Sequence, residues 1–155
     1  MKNMWISEKR FWKIVKVLDW KNNSEKCFET LLYFIVDINE IDTIKQKAVQ
    51  KREALGDVIK AHEKLNIDVP RVWGGDDSFW DVRAHIVGLG EKVFNECLVD
   101  IQKIVIAENY IENFEYTFSR AEEFAETEEG KYLLTIPLKE KELMYIRKRK
   151  LNRIL

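Results

Sequence analysis

Only two prolines, Pro70 and Pro137, and six glycines interrupt the 155 residues. Proline and glycine are the strongest breakers of regular structure, so long unbroken segments must carry the fold. Within those segments the apolar side chains recur at helical intervals, not at the alternation of a strand. Phe11, Ile14, Val15 and Leu18 follow Ser7 at steps of three and four, which predicts a first helix capped by Ser7 and ending near Asp19. After the break at "KNNS", Ser24 is expected to cap a second helix with the stripe Phe28, Leu31, Leu32, Ile35 and Ile38, the most buried of the chain. From about Asn39, Ile41, Ile44, Ala48, Leu55, Ile59, His62 and Leu65 predict one long helix, or two with a bend at Gly56, ended by Pro70.

A loop through Gly74 and Gly75 leads to Ser78 and Asp81, which fit a capping box ahead of Phe79, Val82, Ile86 and Leu89. Gly90 is placed as a left-handed elbow before a helix with Val93, Phe94, Cys97 and Leu98. "IQKIVIAE" reads equally as strand or buried helix. Phe114, Phe118, Ala121 and Ala125 mark a helix whose other side is nearly all glutamate, and "GKYLLTIPL" reads as extended up to Pro137. Leu143, Ile146, Leu151 and Ile154 are the apolar residues of a last helix from about Lys139. The expected architecture is all-α, a single domain of six to eight helices over 1–155, with a minor extended segment near 131–137 and a basic C-terminal helical extension over 139–155.

An apolar fraction of 46% with 34% charged residues excludes a disordered chain. No secretory signal and no apolar run of membrane-spanning length stands out, so a cytoplasmic protein without integral membrane association is expected. Cys27 and Cys97 are too few and too isolated for a disulfide framework or a zinc site and read as buried free thiols.

The net charge of −1 conceals a strong asymmetry. Glu108 to Glu129 holds eight glutamates against Arg120 alone, whereas Lys139 to Leu155 holds seven Lys or Arg against Glu140 and Glu142. The two segments could pair with each other or face a partner.

The stretch "VWGGDDSFWDVRAHIVGLG" concentrates the candidate chemistry. Two aspartates after the glycines would repel a phosphate, which excludes a phosphate loop. Asp77, Asp81 and His85 at i, i+4 and i+8 would share a helix side and offer two or three ligands to a divalent cation, although an acid at a helix start is also favoured by the helix dipole alone. His85 reads otherwise as a half-buried residue bonded to Asp81 one turn back. Trp73 and Trp80 bracket the glycine loop and suit interface anchors. The tail "IRKRKLNRIL" could contact nucleic acid or an anionic membrane.

Phe11 and Trp12, followed by "GGDDSFWDVRAHIVGLGEKVF", resemble a bacterial family known as domain of unknown function 4240. That family usually has Ser-Asp-Asp where Gly75, Asp76 and Asp77 stand, and Trp80 takes the position after the motif phenylalanine. The resemblance implies a bacterial, intracellular, helical domain with Asp76, Asp77, Phe79, Arg83 and Gly90 at motif positions, and it brings no catalytic residue or ligand with it. Gly75, Asp76, Asp77, Ser78, Phe79, Trp80, Arg83 and Gly90 are accordingly expected to be structural.

The sequence thus points to a non-enzymatic protein-binding module, such as an immunity protein neutralising a basic toxin, with Glu122, Glu123, Glu126, Trp73 and Trp80 meeting the partner. It calls for no cofactor. The alternative is a metal-binding protein or metal-dependent enzyme using Asp77, Asp81 and His85, and the third is a nucleic-acid binder acting through the basic tail.

Overall fold

Ser7 opens the first helix as its spacing predicts: in the computed structural model its Oγ accepts the Arg10 amide at 3.1 Å, and α1 (Glu8–Leu18) buries Phe11, Trp12, Ile14, Val15 and Leu18. The structure describes residues 5–111 and 114–154, the side chains of Arg153 and Ile154 excepted. Glu112 of the acidic run and Leu155 of the basic tail therefore lie outside the described residues. Asp19 ends α1 in a left-handed conformation (φ 46°), and a single turn, α2 (Trp20–Asn23), follows.

The second predicted helix is shorter than its apolar stripe. Helix α3 (Cys27–Leu32) starts after Lys26, without a side-chain cap from Ser24, and stops before Ile35, while Ile38 is 44% exposed. The reason is competition for carbonyls. Lys141 Nζ donates to Leu32 O at 2.8 Å and Ile35 O at 2.6 Å, and Arg10 Nη2 donates to Phe34 O at 3.0 Å. These side chains take the groups that further helical amides would have used. The expected burial holds for Leu31, Leu32 and Ile35, which are fully enclosed together with Cys27, whereas Phe28 is only part-buried.

Helix α4 (Asn39–Lys64) is one continuous helix through Gly56, burying Ile41, Ile44, Ala48, Leu55 and Ile59, whereas Leu65 lies outside at 73% exposure. Helix α5 (Asp76–Gly88) meets α6 (Glu91–Val99) at Gly90, whose φ of 109° is a conformation L side chains rarely adopt, as the elbow reading requires. The ambiguous "IQKIVIA" is a 3-10 helix, Ile101–Ala107, and its buried residues Ile101, Ile104 and Ala107 fall every third position, the period of that helix. Helix α7 (Tyr116–Ala125) buries Phe118, Ala121 and Ala125, with Phe114 just ahead of it.

The segment expected to be extended is instead α8 (Glu128–Thr135). Thr127 caps it by accepting the Gly130 amide at 3.1 Å, and the bare Cα of Gly130 lets α8 turn against the backbone of Phe124 and Ala125. Ile136 is extended, and Ile136 and Pro137 separate α8 from α9 (Leu138–Ile154). Helix α9 reverses its expected face. Leu143, Ile146 and Leu151 are exposed by 47%, 46% and 58%, while Lys141 is fully buried and Tyr145 rests on Tyr33 and Phe34 with ring centroids 5.6 and 5.2 Å apart.

Among the described residues the chain is a compact all-α domain of nine α-helices and one 3-10 helix, without a strand. Helix α3 packs on α1 and α7, and α4 packs on α5 and α7. Trp20 lies at the centre, edge-on to His85 at 5.2 Å and to Phe114 at 5.3 Å, above Gly88, where any Cβ would crowd both Trp20 and Phe114. Among the described residues no helix is long and apolar enough to cross a membrane.

Candidate functional site

Arg52 occupies a core position of α4, in register with Ala48, Leu55 and Ile59, and is 2% exposed. A buried guanidinium needs partners, and three groups supply them. Its Nε donates to Glu115 Oε2 at 2.5 Å, its Nη1 donates to Glu53 Oε1 at 2.6 Å, and its plane lies over the Trp80 ring at 3.6 Å. Arg83 on α5 completes the arrangement. Its Nε donates to Phe79 O at 3.1 Å, its Nη1 donates to Arg52 O at 3.4 Å, and its guanidinium covers the Phe79 ring at 4.0 Å. Burial, and then the neighbouring Arg52 charge, hold Arg83 below its ordinary pKa. Gly56 makes the approach possible, because a Cβ there would collide with the Arg83 guanidinium.

Trp80 and Arg83 of the glycine-aspartate stretch therefore clamp α5 to α4, and Phe79 lies beneath the Arg83 guanidinium. Phe79 also stacks on Trp73 at 4.8 Å, and Trp73 is only 8% exposed. Trp73 is thus a packing residue and not the exposed anchor its place beside the loop suggested. Trp80 keeps that property at 48% exposure.

Ser78 does not cap the helix. Helix α5 begins two residues earlier, at Asp76, after an extended Gly75 that provides no side-chain cap. Asp76 and Asp77 stand in the first turn, where the helix dipole stabilises their charge, and this removes the need for a hydroxyl cap.

The proposed metal group does not assemble. Asp77 and Asp81 line an open cleft, whereas His85 is 2% exposed, sits edge-on to Trp20, and accepts the Ile111 amide on Nδ1 at 3.1 Å. Burial pushes the His85 pKa down to about 4, with the Lys21 charge acting in the same direction. Among the described residues no three His, Cys, Asp or Glu side chains form a group able to hold a metal ion. The thiols are enclosed as expected: burial raises Cys27 and pushes Cys97 up to about 11.

The cleft at the head of α5 measures about 630 Å³ and opens between α4, α5 and the start of α7. Asp77 and Asp81 stand there with Lys45, the Glu115 carboxylate is engaged by Arg52, and Trp80 and Tyr116 give the cleft aromatic walls. Along α7, Glu115 and Ser119 line the cleft, and Glu122 and Glu126 continue the same side at steps of three and four, with exposed Glu123 beside them. The acidic surface and Trp80, separate in the sequence, form one continuous face.

The basic helix does not lie on that acidic face. Arg149 Nη2 approaches Asp19 Oδ2 at 3.9 Å, and Lys148 stands 5.8 Å from the Tyr33 ring, both on the side of α1 and α3. Sequence reading missed Arg52, Glu115 and Lys141. The signal for the two cations was a charged residue at a core register position, Arg52 between Ala48 and Leu55 and Lys141 one turn before Tyr145. Comparison with known proteins found no matching family model, no matching curated protein and no matching solved structure.

Proposed function

We propose that the chain is a non-enzymatic binding module that receives a basic protein partner on the acidic face of α7 and in the cleft where that face begins, the role an immunity protein plays against a toxin. The observation that carries this reading is the continuity of exposed Glu122, Glu123 and Glu126 with a carboxylate-lined cleft walled by half-exposed Trp80. Acidic side chains in this arrangement steer a cationic partner, and an aromatic at the head of the stripe anchors it once docked. Stacking on Arg52 fixes the Trp80 ring before binding, so little side-chain freedom is lost on association. Membership of the family that residues 74–94 resemble would leave this reading unchanged, because that family brings no ligand with it.

Cross-linking in the native cell identifies the partner, and the purified pair provides the test. Glu122→Lys, Glu123→Lys and Glu126→Lys combined should slow association by about tenfold or more and flatten its salt dependence. Trp80→Ala should act mainly on dissociation. Association kinetics unchanged in the triple variant would remove the reading.

A further inference from the structure

Helix α9 is docked with the wrong side outward for a helix that only completes a core. Lys141, Tyr145 and Lys148 face the body of the protein, and Leu143, Ile146 and Leu151 face solvent. At 100° per residue, Leu143, Ile146, Arg147, Lys150 and Leu151 fall within an arc of about 140°. No carboxylate follows Glu142 on the helix, while Arg147, Lys148, Arg149 and Lys150 do. Glu140 lies on the same arc at its N-terminal end, one turn before Leu143, and from Leu143 onward the exposed arc is aliphatic and cationic together.

We propose that this outer face of α9 is a docking surface for an anionic lipid bilayer, on which the helix lies in the plane of the headgroups. Charge complementarity favours this occupant. Cations interleaved with aliphatic side chains match a surface of phosphate headgroups over an acyl boundary, and long Lys and Arg stems let their charges rise to the headgroups while leucine and isoleucine sink. A nucleic acid would use the cations but gain nothing from three aliphatic residues, since single strands are held by aromatic stacking and duplexes through phosphates. The ammonium of Lys141, bonded to the carbonyls of Leu32 at the end of α3 and of Ile35 beyond it, fixes the helix to the protein, so the face is formed before any membrane is met. This inference is independent of the acidic face of α7.

The test is co-sedimentation of the full chain with vesicles of phosphatidylcholine alone and with phosphatidylglycerol added. Binding should be confined to the vesicles with phosphatidylglycerol and fall steeply with salt. Arg147→Gln with Lys150→Gln should lower the partition coefficient about tenfold to thirtyfold, from roughly one charge's worth of attraction per residue. Leu143→Ser with Ile146→Ser should abolish binding with helical content intact, because both residues are exposed. Three results would overturn the proposal: equal or no binding to the two vesicle types, binding that survives the serine variant, or a concentration-dependent dimer, in the absence of vesicles, that the serine variant dissolves. Binding of duplex DNA unaffected by the serine variant, with no vesicle binding, would assign the face to nucleic acid instead.

Discussion

His85 is held neutral above all by its burial in a site closed by Trp20, where its Nδ1 accepts the Ile111 amide. Its pKa of about 4 in the folded chain lies below the ordinary 6.5, so between those values the unfolded chain binds a proton that the folded one refuses. Stability from this group is fully present above pH 6.5 and is lost as pH falls to 4, by about 3 kcal/mol in all. His85→Asn keeps an acceptor for the amide and removes the titration, so urea midpoints measured from neutral to acid pH should fall less steeply than in the wild type. Equal slopes would show that His85 titrates normally. The thiols give a second check at this scale. With Cys27 and Cys97 buried and their pKa values raised, native protein should be silent to a thiol reagent that titrates both after unfolding. That Cys27 and Cys97 would be buried was legible from their isolation. The full burial of His85 was not, because its partner Ile111 arrives from a different part of the chain.

Among the elements, period decided what was legible. Helices α1, α4, α6 and α7 follow from apolar spacing because each buries most of the stripe its sequence displays, Leu65 at the end of α4 excepted. Helices α3, α8 and α9 depart from the sequence reading because long-range contacts set them: Lys141 and Arg10 truncate α3, the Phe124 backbone receives Gly130 at the start of α8, and Lys141 turns the leucines of α9 outward. Gly130→Ala isolates the second of these. An added Cβ meets the Phe124 carbonyl and the Ala125 Cα, both backbone atoms that cannot swing aside. The expected cost of about 1–3 kcal/mol from overpacking exceeds the gain of about 1 kcal/mol in helix propensity. Gly74→Ala, where a Cβ meets nothing within 4 Å, should leave the urea midpoint unchanged or raise it slightly. Lys141→Met should cost about 1–3 kcal/mol by stranding the Leu32 and Ile35 carbonyls, and hydrogen exchange should show amides of α9 opening before those of α4. Protection of α9 unchanged by that substitution would mean that ring contacts alone hold it.

For the molecule as a whole, the sequence displayed two oppositely charged segments without saying whether they meet. Geometry separates them: Glu122, Glu123 and Glu126 are exposed beside the cleft, and the basic residues of α9 stand by Asp19 and Tyr33 or face solvent. Among the described residues α9 is held by a buried ammonium, the packing of Met144 and Tyr145, Lys148 beside the Tyr33 ring and one loose surface ion pair, the last being the most readily screened. If the acidic and basic helices were paired within the chain, salt would remove attraction from many charges at once and the melting temperature would fall steadily as ionic strength rose. The observed arrangement predicts the opposite sign or none. Screening should relieve repulsion among the glutamates of α7 and among the clustered cations of α9, so calorimetric Tm should stay level or rise slightly from low salt to about 0.5 M, where the Debye length is only about 4 Å. A fall of several degrees over that range would show that the two helices pair in solution, and the acidic face would then be occupied by its own chain and not open to a partner.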